Sequence, residues 1–311
     1  MKRFFKKTIL LGLMSCVCVA LFFVMLTADS IYGDKSIYYM AFFKKQEMLV
    51  DKQHQQKPSV ILLGGSNIAF GFKSKMIEEA LDLPVINTGL HAGFGLKFML
   101  DHTSKYLTKG DILIIAPEYD HFFNSMAYGG INLIFLFYLD PRIGVHFGAV
   151  HLKKMITSLP TTKDFFLSSV LHLLFKRESE DYNASGFNEY GDYTDHWTMP
   201  SRPYPHASIS DFKTINMKFL DYYQKAVAAL RERGIQVIII PPSFSETSYN
   251  NIEEKLIPLF SEFERRDLGF SIPPQESAYP DSLFFDTHYH LGYEGVLIRT
   301  NQLIQLMQAQ N

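Results

Sequence analysis

Cysteine is nearly absent from this chain of 311 residues. There are two, Cys16 and Cys18, and both lie in the first apolar stretch. The remainder therefore has no disulfide framework, no cysteine-rich zinc site and no thiolate nucleophile. An excess of charge of one sign is lacking too: 30 Lys and Arg stand against 32 Asp and Glu, a formal net charge of -2. Without a broad basic field, nucleic acid is not an expected partner. Tryptophan occurs once, at Trp197. No fixed-period repeat is visible, and "GGSNIAFGF" after the first strand-like run lacks the lysine and hydroxyl of a phosphate-binding loop. The 47% of apolar residues suffices for a real core and excludes global disorder.

The chain opens with "MKRFFKKTILLGLMSCVCVALFFVMLTADS". Lys2, Arg3, Lys6 and Lys7 precede an uncharged run from Thr8 to Thr27, which as a helix would rise roughly 30 Å, the thickness of a hydrocarbon core. A basic flank keeps the N-terminus cytoplasmic. Residues 1–30 are thus expected to be a basic stub and a transmembrane anchor in the cytoplasmic (inner) membrane, single-pass, with the bulk of the chain extracytoplasmic. A cleaved signal peptide and a buried helix are the competing readings; against the first, the run is longer than the usual apolar region of a signal, and the small-residue exit near Thr27 and Ala28 is poorly formed. Residues 31–57 read as a stalk or leading helix ending in a glutamine-rich joint.

From residue 58 to 311 the pattern is that of an α/β domain. Continuous apolar runs at 59–65, 84–89, 111–117, 235–242 and 268–274 read as strands, and 73–82, 95–107, 209–234, 251–266 and 294–310 as helices. Unbroken apolar strands alternating with helices imply a parallel sheet of about five strands, covered on both faces in three layers. The alternation lapses over about 121–208. There "NLIFLFYL" (132–139) and "FFLSSVLHLLF" (165–175) are too short for a second crossing and imply a helical cap insertion, while 176–197 is polar and loop-like. Asn183 begins an "NAS" glycosylation pattern.

Two short segments carry chemistry. "SVILLGGSN" ends a buried strand on Gly64 and Gly65 and then shows Ser66, whose hydroxyl would be held at the carboxyl edge of the sheet. "YPDSLFFDTHYHLGYEG" (279–295) holds Asp286, His288 and His290 just before the last helix. An imidazole can take a serine proton while a carboxylate fixes its tautomer. A polar loop and a metal site are the competing readings, the latter awkward because the three groups are so closely spaced.

The order strand, "GGSN", "NTG...G", then "D...HLG..G" before a final helix resembles the SGNH/GDSL hydrolase superfamily, in a membrane-anchored type that modifies envelope polysaccharide. The resemblance spans Ser59 to about Gln310 apart from the insertion, and implies a flavodoxin-like three-layer fold. It assigns Ser66 as nucleophile, His290 as base and Asp286 as acid, with His288 as the alternative base, because the usual acid position three before His290 is Thr287. It places oxyanion donors at the Ser66 backbone and at Gly93 in "NTGLHAGFG". The asparagine expected after the central strand is replaced by Glu118 in "APEYDHFF", so Asn67 is the substitute donor, and Glu118 is left to touch substrate or anchor an arginine. Trp197, Tyr204 and the His121/Tyr128 neighbourhood would stack on sugar rings. The implied reaction is acyl ester hydrolysis or acyl transfer on an envelope carbohydrate or lipid-linked glycan, with a membrane-bound acyl donor protein as a further partner and no cofactor or metal. The alternative is a catalytically silent, anchored scaffold of the same fold.

Overall fold

The computed structural model describes residues 2–32, 36–149, 151, 153, 182 and 184–310. Its elements are helices α1 (Lys2–Tyr32) and α2 (Ser36–Gln55), strand β1 (Val60–Gly64), the single turn α3 (Ser66–Ala69), α4 (Ser74–Leu81) and β2 (Val85–Asn87). There follow α5 (Leu96–Thr103), β3 (Ile112–Ala116), α6 (Ile131–Leu139), α7 (Met217–Glu232), β4 (Gln236–Ile239) and β5 (Phe244–Ser245). The chain closes with α8 (Glu246–Arg265), β6 (Ala278–Tyr279) and α9 (Tyr293–Gln310). It divides into two units, Met1–Met40 with Ile131–Asn183 and Ala41–Gly130 with Ala184–Asn311.

The second unit holds both sheets. β2, β1, β3 and β4 are parallel in that order, with Val60 beside Val85 and Ile112, and Leu113 beside Val237. Every residue of β1 and β3 is buried, as their unbroken apolar sequences require of strands covered on both faces. Val60, Leu62, Ile112 and Ile114 pack with Ile77 of α4 and Leu303 and Met307 of α9. Their alternate neighbours point to the other face, where α5 lies by β1 and α7 by β4. Because β2 and β3 flank β1 on opposite sides, the chain reverses direction across the sheet at the carboxyl ends of β1 and β3. Ligands of open α/β sheets bind at such a crevice, and Ser66 and Glu118 stand there.

Two small parallel sheets replace the single sheet of about five strands. Residues 268–274 are not a strand: Ser271 donates one backbone hydrogen bond to Ile239, at 2.8 Å, without forming a ladder. Pairing passes instead to β5 and β6, where Phe244 stands beside Ala278. In the first unit α1 packs on α6, whose Leu133, Ile134, Phe135 and Leu136 are buried. Residues 165–175 and Asn183 lie outside the described residues.

Among the described residues no helix is long and apolar enough to cross a membrane. The expected transmembrane anchor, the single-pass inner-membrane location and the membrane-anchored family type are corrected accordingly.

Helix α2 is tied to the sheet by a buried ion pair. Lys52 donates to Asp111, which also accepts from the backbone N–H groups of Ser59 at 3.0 Å and Thr108 at 2.6 Å. Asp111 is fully buried and Lys52 nearly so. The carboxylate thus gathers α2 and the entries to β1 and β3 around one charge. Lys52→Met leaves that charge without its cation, and a loss of about 3–5 kcal/mol is expected in denaturant unfolding. An unchanged midpoint would show the pair to be dispensable.

Candidate active site

The two glycines ahead of Ser66 are required by close approach. A Cβ on Gly64 would lie 2.4 Å from the Ala116 carbonyl oxygen, and one on Gly65 would lie 2.2 Å from Glu118 Oε1. β1 and the exit of β3 therefore come together only where side chains are absent. Helix α3 then starts without a side-chain cap from Gly65. Its free N-terminal donors are met from across the sheet: Glu118 Oε1 accepts the Ser66 hydroxyl at 3.2 Å and the Asn67 N–H at 3.2 Å. An acidic group belongs at this position, where unpaired N–H groups and the helix dipole favour negative charge. Burial outweighs that preference and raises the Glu118 pKa above its ordinary value. Asp120 adds to the rise, whereas the Asn67 donors and His290 oppose it.

Arg299 of α9 closes the turn from the other side. It donates to the Asn67 carbonyl at 2.7 Å and to Asn67 Oδ1 at 3.0 Å, and also reaches Ser243 Oγ and the Pro241 carbonyl. With Oδ1 so engaged, Asn67 turns its Nδ2 to the Ala116 carbonyl at 3.1 Å. Burial lowers the Arg299 pKa to about 10, opposed by Tyr279, Glu118 and Tyr119.

The segment before α9 brings the imidazole. His290 Nδ1 and Asp286 Oδ1 are 2.8 Å apart. The His290 N–H donates to Thr287 Oγ1 at 3.1 Å, and its carbonyl accepts from Phe285 at 2.8 Å. With Asp286 ionised, the pair fixes the proton on Nδ1 and leaves Nε2 as the acceptor. The Phe70 ring stacks on His290 at 4.1 Å and 7°. Phe70 is also the C-cap of α3, its N–H donating to the Ser66 carbonyl at 2.9 Å. Imidazole and hydroxyl thus flank the same single helical turn. His288 is placed otherwise: its Nδ1 is 3.2 Å from the Pro205 carbonyl and its ring lies against Phe244. Burial, first among its influences, lowers its pKa.

Two of the three expected oxyanion donors, Gly93 and Asn67, are engaged elsewhere. Gly93 donates its N–H to His91 Nδ1 at 3.0 Å, and the Asn67 amide donates to Ala116 as above. His121 Nε2 is 3.2 Å from the Ala92 carbonyl, so His121 supports this loop from within the core. Trp197 is half-buried beside Tyr293 at 5.2 Å, with the Lys73 ammonium over both rings. Tyr204 packs on Phe284, and Tyr128 on Phe219. Chemistry and volume do not coincide. Grooves of about 350 and 410 Å3 are lined by Asp101, Tyr222 and Arg233 in one case and by Lys57, Glu78 and Pro84 in the other. Among the described residues no group of three or more His, Cys, Asp or Glu side chains is placed to hold a metal ion.

Sequence reasoning missed Arg299 and the Tyr289–Asp120 hydrogen bond, 2.8 Å long, whose phenol oxygen also accepts from the Tyr119 N–H at 3.1 Å. The signal for Arg299 was available. It falls on the helical stripe of Val296, Thr300, Leu303 and Met307, where a charged residue needs a buried partner.

Comparison with protein-family models, with curated proteins and with solved structures finds no match. The resemblance to the SGNH group therefore rests on the order of short motifs, and no family is shown.

Replacing Arg299 by Met strands the Asn67 and Pro241 acceptors in the core. We expect a loss of about 3 kcal/mol or more of stability by denaturant titration, at roughly 1–3 kcal/mol for each unsatisfied buried group. A variant as stable as the parent would remove Arg299 from the scaffold of the site.

Proposed function

We propose that this chain is a serine-dependent acyl esterase or acyltransferase in which Ser66 is the nucleophile, His290 the base and Asp286 its orienting acid. One observation carries the reading: the Asp286–His290 pair is stacked through Phe70 on the helical turn that Ser66 begins. In the first step Ser66 Oγ bonds to the ester carbonyl carbon, its proton passes to His290 Nε2, and the carbonyl electron pair moves onto oxygen. Collapse restores the carbonyl, expels the alcohol with the proton returned by His290, and leaves an acyl-serine. Water or a sugar hydroxyl then repeats the sequence in reverse. Water gives an esterase and a sugar gives an O-acyltransferase. A carbohydrate acceptor is supported by Trp197 and the exposed Tyr293, a pair of aromatic faces with the Lys73 cation beside them.

A second reading has its own support. The Ser66 hydroxyl donates to a carboxyl group, and the N–H of Gly93 is taken by His91; both favour a silent binding scaffold. Under that reading Trp197 and Tyr293 bind glycan without turnover.

Labelling with a fluorophosphonate serine probe separates them. The folded wild-type chain is expected to react, and Ser66→Ala to lose the label completely. His290→Ala should fall with it, His288→Ala should retain most of the rate, and Asp286→Asn should lower it by about 10²–10⁴-fold through loss of the correct tautomer. A folded wild-type chain that takes no label, or a Ser66→Ala chain that still does, overturns the proposal.

A further inference from the structure

Glu118 Oε1 stands 3.2 Å from the Ser66 oxygen, within hydrogen-bond reach of the reacting hydroxyl. The residue is also buried at 3% exposure. An ionised carboxylate there accepts hydrogen bonds only and would repel the negative charge that serine attack creates. A neutral carboxyl group has the opposite property, because it offers an O–H donor. Two of the three donors expected to serve the oxyanion are engaged, Asn67 Nδ2 with Ala116 and Gly93 N–H with His91.

Resting on the serine mechanism above, we propose that Glu118 acts as a neutral carboxylic acid that hydrogen-bonds the oxygen on which charge develops when Ser66 attacks. No proton is transferred by it. The Ser66 proton goes to His290, the carbonyl electron pair goes to oxygen, and the Glu118 O–H donates to that oxygen until the intermediate collapses. Glu118 touches a reacting atom and is in this sense a catalytic residue.

The surroundings favour the neutral form. Burial is the largest influence on Glu118 and raises its pKa; Asp120, on the same loop, acts in the same direction. Asp120 is itself raised, chiefly by burial, and bonds the Tyr289 hydroxyl. His290 and the Asn67 donors oppose the rise. Arg299 of α9 and Tyr289 of the 285–292 segment each interact electrostatically with Glu118. Since the folded pKa lies above the ordinary value, the donor is present at low pH and is lost as pH rises through it. If the neutral acid serves the reaction, the rate should carry an alkaline limb that follows the ionisation of Glu118.

The test is the pH dependence of fluorophosphonate labelling and of 4-nitrophenyl acetate hydrolysis in the full chain and in Glu118→Gln. The amide keeps an oxygen for the Ser66 and Asn67 donors and carries N–H donors that do not titrate. Glu118→Gln is expected to lose the alkaline limb and to exceed the wild-type rate by about tenfold for each pH unit above that limb. A purely capping role for Glu118 leaves the profile where it is, so superimposed profiles in two reactive proteins overturn this inference alone. A wild-type chain unreactive at every pH overturns the serine mechanism and this inference together. Should Glu118→Gln not fold, the wild type carries the test by infrared titration. A protonated-carboxyl stretch should bleach over the same interval in which the rate falls, and a falling rate without that band rejects the role.

Discussion

A buried guanidinium joins the two ends of the sheet domain at Ser66. Arg299 reaches across 232 residues of sequence to the Asn67 backbone, and the rest of the site is arranged around that contact. Taking a cation out of water is costly unless its donors are satisfied. Here the acceptors are mostly neutral carbonyls and hydroxyl groups, and the Phe72 ring lies 4.4 Å from the guanidinium carbon. A planar fork of five donors suits such a set, where the point charge of a lysine would not. Room for it comes from Gly71, on which a Cβ would sit 2.4 Å from Arg299 Nη1 and 2.1 Å from the Asn67 carbonyl oxygen.

The consequence is a division of labour among carboxyl groups. Asp286 is half-buried and hydrogen-bonded to an imidazole nitrogen, a contact that orients His290. Glu118 lies deeper, where desolvation works against ionisation. Asp120 is spent on Tyr289, which locks the 285–292 segment to the loop after β3. Histidines divide similarly: His290 faces Asp286, His288 faces a carbonyl, and His121 is buried under the Ala92–Phe94 turn.

Much of the sheet was legible in the sequence because buried parallel strands have no polar alternation to confuse them. Residues 60–64, 85–87, 112–116 and 236–239 lie inside the runs read as strands. The run at 268–274 misled because apolar residues beside a strand look like another strand; only the single bond from Ser271 to Ile239 distinguishes them. β5 and β6, two residues each, are below what periodicity can detect. Hydropathy alone also overstated the N-terminal run, since no helix among the described residues is long and apolar enough to cross a membrane. In the site, the order of Ser66, Asp286 and His290 was readable as a pattern of residue types. The roles of Arg299, Phe70 and Gly65 were not, because each depends on what the fold sets opposite it: a carbonyl, an imidazole face, a carboxyl oxygen.

The most direct measurement is a crystal structure of the full chain after reaction with a fluorophosphonate. The expected result is phosphorus bonded to Ser66 Oγ, the phosphoryl oxygen within hydrogen-bond distance of the Glu118 carboxyl, and His290 Nε2 facing the adduct from its other side. An intact Arg299–Asn67 contact with Ser66 unmodified, or an adduct on any other residue, would contradict the assignment of this turn as the reacting centre.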